Sequence, residues 1–120
     1  MEYPSFGQLL DLISEQFALI LKVLGRCGIQ LPAADLAHPE IMKAAVVRSI
    51  THLSATPIPE EAKVMIVTAI VKWLMATENL ARLLSDPEWW RAVGTEALLM
   101  EAGALALMAS EELDKRDLSN

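Results

Sequence analysis

The chain has 120 residues, 53% of them apolar, and a net charge of −6. This length predicts one domain over residues 1–120, large enough to bury a core without disulfides. The acidic balance and the absence of a basic cluster exclude nucleic-acid binding as an expected function. No signal peptide is expected because the start of the chain lacks cationic residues, and no apolar run approaches the roughly 20 residues that span a bilayer. A cytoplasmic protein without a membrane span is expected.

The spacing of apolar residues is helical almost throughout, and no sustained alternation or hairpin turn indicates a strand. The sequence therefore predicts an all-α fold, a compact bundle of four main helices. Their expected ranges are about 6–24, 39–53, 59–84 and 87–113. The polar residues 114–120 are expected to form a frayed tail.

The first two predicted helices have recognisable starts. Ser5 and Gln8 have the spacing of a capping box, which predicts that the first helix begins at Phe6. Pro39 is a favoured first residue for the second helix. Glycines at 25 and 28 offer stops for the first helix and precede the longest connection.

The third predicted helix is apolar around about two thirds of its circumference, as expected of a central helix that touches several neighbours. Its remaining side carries polar residues. Val64, Val71 and Met75 interrupt that polar side. We expect these three residues to be covered by a neighbouring helix or by another subunit.

The fourth predicted helix follows Ser85-Asp86-Pro87-Glu88, which combines a cap residue, a proline and an acid suited to a helix start. The short turn predicts that helices 3 and 4 form a long antiparallel hairpin. Helix 4 has two apolar seams, which predict two packing partners. The first seam holds Trp90, Val93, Ala97, Met100, Ala104 and Leu107, and the second holds Leu98, Ala102, Leu105 and Ala109.

Residues that could carry chemistry are scattered. His38 and His52 are far apart, and neither belongs to a metal-binding motif. The single cysteine, Cys27, excludes an intrachain disulfide and follows a helix C-terminus, where the dipole disfavours a thiolate. No glycine-rich phosphate loop precedes a helix. We expect no metal, no cofactor and no enzymatic activity.

The tryptophans are the strongest candidates for a binding site. Trp73 lies on the apolar arc of helix 3 and is predicted to be buried. Trp89 and Trp90 are adjacent, about 100° apart on a helix, so at most one can point fully into the same core. The other is expected either to cap the bundle or to anchor a protein partner.

These patterns favour a non-enzymatic protein–protein interaction module. The expected function is that of a small regulatory inhibitor or adaptor, similar to an anti-activator, that sequesters a protein partner of unknown identity. The surplus of apolar residues also predicts a homodimer or larger homo-oligomer. The alternatives are a secretion chaperone, an immunity protein, a structural subunit of a larger complex, or a carrier that holds a hydrophobic ligand between its helices. The predicted partner-binding residues are Trp89, Trp90, Val64, Val71 and Met75.

Overall fold

A computed structural model describes residues 2–31 and 39–119 of the chain. The described residues form four helices and no strand, which confirms the predicted all-α bundle. The helices are α1 (Phe6–Arg26), α2 (Pro39–Ser54), α3 (Glu60–Leu83) and α4 (Trp89–Ser119). His38 and residue 120 of the predicted tail lie outside the described residues.

The two ends of α1 are fixed by local hydrogen bonds. Ser5 and Gln8 form the predicted capping box: the Gln8 N–H donates to Ser5 Oγ at 3.1 Å, and the Ser5 N–H donates to Gln8 Oε1 at 2.8 Å. The helix continues through Gly25 to Arg26. Gly28 has a φ of 80°, so the left-handed turn that ends the helix occurs there.

The turn between α3 and α4 differs in detail from the prediction. Ser85 does not cap α4; its Oγ donates to the Arg82 carbonyl at 3.3 Å and so helps to close α3. Pro87 lies before α4, which begins at Trp89. The Glu88 carbonyl accepts from the Arg91 N–H at 3.0 Å, while Arg91 Nη2 donates to Asp86 Oδ2 at 2.8 Å. The start of α4 is thus tied to the turn by Arg91.

The last helix is longer than predicted. It continues past residue 113 and through most of the predicted tail to Ser119. Leu113 is buried, Asp114 forms an ion pair with Arg26 of α1 at 2.6 Å, and Lys115 pairs with Glu112 at 3.1 Å. A polar segment can remain helical here because α1 and the preceding turn both hold it.

The central helix is α3, as predicted. It packs along α4 for most of their shared length, which confirms the antiparallel hairpin, and it also contacts α1 and α2. Helix α1 contacts both members of the hairpin, whereas α2 packs mainly against α3. Trp73 of α3 is 1% exposed and its ring stacks on Phe17 of α1, with centroids 4.7 Å apart. The predicted burial of Trp73 is confirmed.

Small residues allow close approach of the helices around α4. Gly103 is buried, and the space that a Cβ would fill is occupied by the side-chain amide of Gln16 from α1. The buried positions of α3 and α4 include many alanines: Ala62, Ala69 and Ala76 on α3, and Ala92, Ala102, Ala106 and Ala109 on α4. Short side chains let helix axes come near the lower end of the usual 8–10 Å separation.

Candidate interaction surfaces

Of the reactive side chains that the structure describes, His52 and Cys27 lie on different helices or helix ends. His52 is exposed on α2, and Cys27 is half-buried at the end of α1. Among residues 2–31 and 39–119, no group of three or more His, Cys, Asp or Glu side chains could hold a metal ion. Burial raises the pKa of the Cys27 thiol, and the neighbouring Arg26 guanidinium opposes this with a smaller effect.

Cys27 is expected to react slowly with alkylating agents. Because a raised pKa leaves less thiolate at neutral pH, iodoacetamide should modify the folded protein several-fold more slowly than the chain unfolded in urea. The rate should rise with pH into the alkaline range, above the usual titration range of a free thiol. Mass spectrometry over a pH series measures both rates. Equal rates for the folded and unfolded chain at neutral pH would contradict this expectation.

Two of the predicted binding residues lie together at one end of the bundle. Trp89 is 49% exposed and Trp90 is 52% exposed, so neither enters the core. The side of α4 that faces the core at this level is formed by Ala92 and Thr95, which lie more than 100° around the helix from Trp90. Leu84, in the turn before α4, is 74% exposed.

The two tryptophans have different surroundings. The Arg91 guanidinium lies over the Trp90 ring, 4.7 Å from its centroid, and the same guanidinium is held by Asp86. This cation–π contact limits the rotation of Trp90 while leaving half of the ring exposed. Trp90 is therefore a partly ordered aromatic anchor, a type of residue enriched at the centres of protein interfaces.

The start of α1 lies at the same end of the molecule. Leu9 packs with Leu80 of α3 and Ala92 of α4 in a small buried cluster. Phe6 precedes Leu9 by one turn and is exposed. We call the exposed apolar residues at this end the apolar end: Phe6, Leu84, Trp89 and Trp90. Sequence reasoning missed Phe6 and Leu84 as members of a surface, because only the packing of Leu9 places α1 beside the hairpin turn.

The other three predicted binding residues lie on the side of α3 opposite the core. Val64, Val71 and Met75 are all exposed, with Val71 at 41%. The buried residues of α3, such as Ala69 and Trp73, lie about 120–180° around the helix from them. We expected a neighbouring helix or subunit to cover these residues. Within the part of the chain that the structure describes, no helix covers them.

Helix α4 continues this apolar surface. Its first predicted seam does not pack inside the bundle as expected: Trp90, Ala97, Met100, Ala104 and Leu107 are exposed. The second seam and its neighbours fill the core instead. Lys72 Nζ and Glu101 Oε2 lie 2.6 Å apart and join the exposed edges of α3 and α4. We call the combined surface the outer face: Val64, Val71 and Met75 of α3, and Ala104 and Met108 of α4. Met100 and Leu107 lie on the other edge of α4, where they border clefts lined by α1 residues.

An apolar cleft also opens between α1, α2 and α3. Its volume is about 340 Å³, near the lower limit of small-molecule sites. The apolar lining residues are Leu10, Ile13, Met42, Trp73, Leu80 and Ala81. The other lining residues are polar or charged: Glu40, Lys43, Thr77 and Glu78.

Two helices meet the criteria of length and composition for crossing a membrane, Glu60–Leu83 and Trp89–Lys115. Of the apolar windows in these two helices, 33% and 39% respectively are buried inside this bundle. Comparison with known proteins adds no relative by which to judge these surfaces. No protein-family model, curated protein or solved structure matches this chain.

Proposed function

We propose that this chain is a non-enzymatic protein–protein interaction module, a small regulatory inhibitor or adaptor that sequesters a protein partner. The observation that supports it is the apolar end. Two adjacent tryptophans are half exposed there, beside the still more exposed Leu84. Exposed apolar surface of this kind is costly for an isolated soluble protein and is typical of partner-binding sites.

The chemistry of the apolar end suits tight association without catalysis. Tryptophan and arginine are the residue types that most often dominate interface energies, and both occur here. Arg91 is already held by Asp86 and stacked on Trp90, so fewer side-chain rotations are lost on binding. The partner expected at this end carries an apolar groove or pocket that accepts an aromatic side chain.

Trp89→Ala and Trp90→Ala are expected to weaken partner binding much more than folding. Loss of an interface tryptophan typically costs 2 kcal/mol or more, so each change should raise the Kd by about thirtyfold. Because both rings are half exposed, the free energy of unfolding should fall by less than about 1 kcal/mol. Pull-down from the native cell extract, followed by titration of the captured protein, measures the first quantity, and urea denaturation measures the second.

Val47→Ala is the matched control, because Val47 is an exposed apolar residue on α2, away from the apolar end. It should leave capture unchanged. A photo-crosslinking residue in place of Leu84 should form a covalent complex with the partner, and the same residue at position 47 should not. Capture that survives the loss of both tryptophans would contradict the proposal. Secretion chaperones, immunity proteins and structural subunits use similar surfaces, and the identity of the captured protein separates them from a regulatory inhibitor.

The cleft between α1, α2 and α3 supports a second candidate, a carrier of a hydrophobic ligand. Six of its lining residues are apolar, Met42 and Trp73 among them. Native mass spectrometry tests this candidate by detecting a small apolar molecule that co-purifies with the protein. Loss of that molecule in Met42→Glu and its retention in Trp90→Ala would favour the carrier over the adaptor.

A further inference from the structure

We infer that the outer face is the contact surface for a second copy of this chain, in a dimer with twofold symmetry. This inference goes beyond the proposed function, because the partner is assigned to the apolar end and not to the outer face. It concerns exposed residues of the hairpin. They are Val64, Val71 and Met75 on α3, and Ala104 and Met108 on α4.

The dimensions of the hairpin match those of a stable interface. Helix α3 has 24 residues, which corresponds to a length of about 36 Å. Two helices side by side are roughly 20 Å wide, so the outer face presents a footprint of about 700 Å². Stable protein interfaces bury about 800 Å² on each partner. Contact along most of the hairpin therefore provides enough area for a dimer.

The shape of the chain also indicates a missing layer. The molecule measures 49 × 32 × 18 Å, and its thinnest dimension corresponds to two layers of helices. Its accessible surface is 7211 Å², whereas a monomer of 13.2 kDa is expected to expose about 6,400 Å². The excess, roughly 800 Å², belongs to the whole elongated molecule and is similar in size to the area that one partner of a standard interface buries.

The charges on the outer face favour a second copy over lipid. Lys72 and Glu101 form an ion pair between the two helices, so the middle of this face carries one charge of each sign. Two copies related by a twofold axis near this pair would bring each lysine close to the partner's glutamate as well. A bilayer would instead have to accommodate both charges in hydrocarbon, which is costly.

The test compares Val71→Glu with Val47→Glu by sedimentation equilibrium. Both positions are exposed valines of similar exposure, 41% and 47%, but only Val71 lies on the outer face. The wild-type chain should sediment as a dimer of twice 13.2 kDa. Val71→Glu places an unpaired carboxylate in the interface from each copy, so the dimer Kd should rise by about a hundredfold or more. Val47→Glu should leave the Kd unchanged, and circular dichroism should show full helicity in both variants.

Three outcomes would overturn the inference. In sedimentation, these are a wild-type chain that stays monomeric at high concentration, or a Val71→Glu dimer that is as stable as the Val47→Glu dimer. The third is binding of the wild-type chain to phosphatidylcholine vesicles, if Val71→Glu abolishes that binding. A second measurement avoids dependence on the folding of Val71→Glu. In a Cys27→Ser background, Val71→Cys should form a disulfide-linked dimer on mild oxidation, and Val47→Cys should not. Trp89→Ala should remain dimeric, because Trp89 lies about 100° around α4 from Trp90, away from the side that continues into the outer face. Failure of the proposed adaptor function and failure of this inference are therefore distinguishable.

Discussion

Trp73→Ala is expected to lower the free energy of unfolding by about 3–5 kcal/mol, the usual cost of removing a large buried aromatic side chain. Trp73 is 1% exposed and joins two helices. Its ring stacks on Phe17, and its Nε1 donates to the Ile13 carbonyl at 3.1 Å. Removal of the indole therefore leaves a cavity between α3 and α1 and also breaks the polar link between them. Urea denaturation followed by circular dichroism measures the loss, at one fixed protein concentration because association would contribute.

Two controls separate the contribution of the ring from that of the hydrogen bond. Trp73→Phe keeps an aromatic ring but has no N–H donor, and it should cost about 1–2 kcal/mol. Trp89→Ala makes the same change as Trp73→Ala at an exposed position and should cost less than about 1 kcal/mol. If Trp73→Ala and Trp89→Ala destabilised the protein equally, the assignment of Trp73 as the link between α1 and α3 would be wrong.

Most of the helical architecture could be predicted because its signals are local. The capping box at Ser5 and Gln8 needs only four consecutive residues, and it forms as predicted. The wide apolar arc of α3 required a central position, and α3 contacts all three other helices. Prediction was less accurate where one side chain had two possible hydrogen-bond partners. Ser85 could cap α4 or bond back to α3, and only the geometry of the turn selects the Arg82 carbonyl.

The choice between the two seams of α4 could not be predicted. Both have helical spacing and similar apolarity, so periodicity does not distinguish them. The side that contacts α1 and α3 is rich in alanine and includes Gly103, which permits the close approach of Gln16. The other seam, with Met100 and Leu107, remains exposed. Side-chain size was the available signal, since small residues indicate the side on which backbones come near.

The candidate surfaces were predicted in part. Adjacent tryptophans could not both enter one core, and the structure leaves both outside it because Ala92 and Thr95 occupy the core side of α4. The extension of this surface to Phe6 depends on contacts between residues that are far apart in the chain. A weaker local signal existed for Leu84: consecutive leucines at 83 and 84 end a helix about 100° apart, so both cannot be buried equally.

Ala106→Leu is the second substitution for which we expect a large effect, a loss of about 1–3 kcal/mol or more in the free energy of unfolding. Ala106 is 1% exposed and belongs to the main core cluster with Phe17, Trp73 and Leu99. Three additional carbon atoms have no space there unless α4 moves away from its neighbours. Such a movement would also disturb the close approach at Gly103, one turn earlier on α4. Urea denaturation gives the loss, and near-ultraviolet circular dichroism detects loosening around Trp73.

Ala18→Leu is the matched control, because Ala18 is an exposed alanine on α1 and leucine is equally compatible with a helix. It should change stability by less than about 0.5 kcal/mol. Ala104 lies two residues before Ala106 but on the outer face. Ala104→Leu should therefore leave the fold of one copy intact. It should weaken self-association if two hairpins pack closely on this face. A large loss at position 104 and none at position 106 in a monomeric sample would mean that the covered side of α4 has been assigned wrongly. The pair of alanines therefore tests, within two residues, which side of α4 faces the core and which side is free to bind.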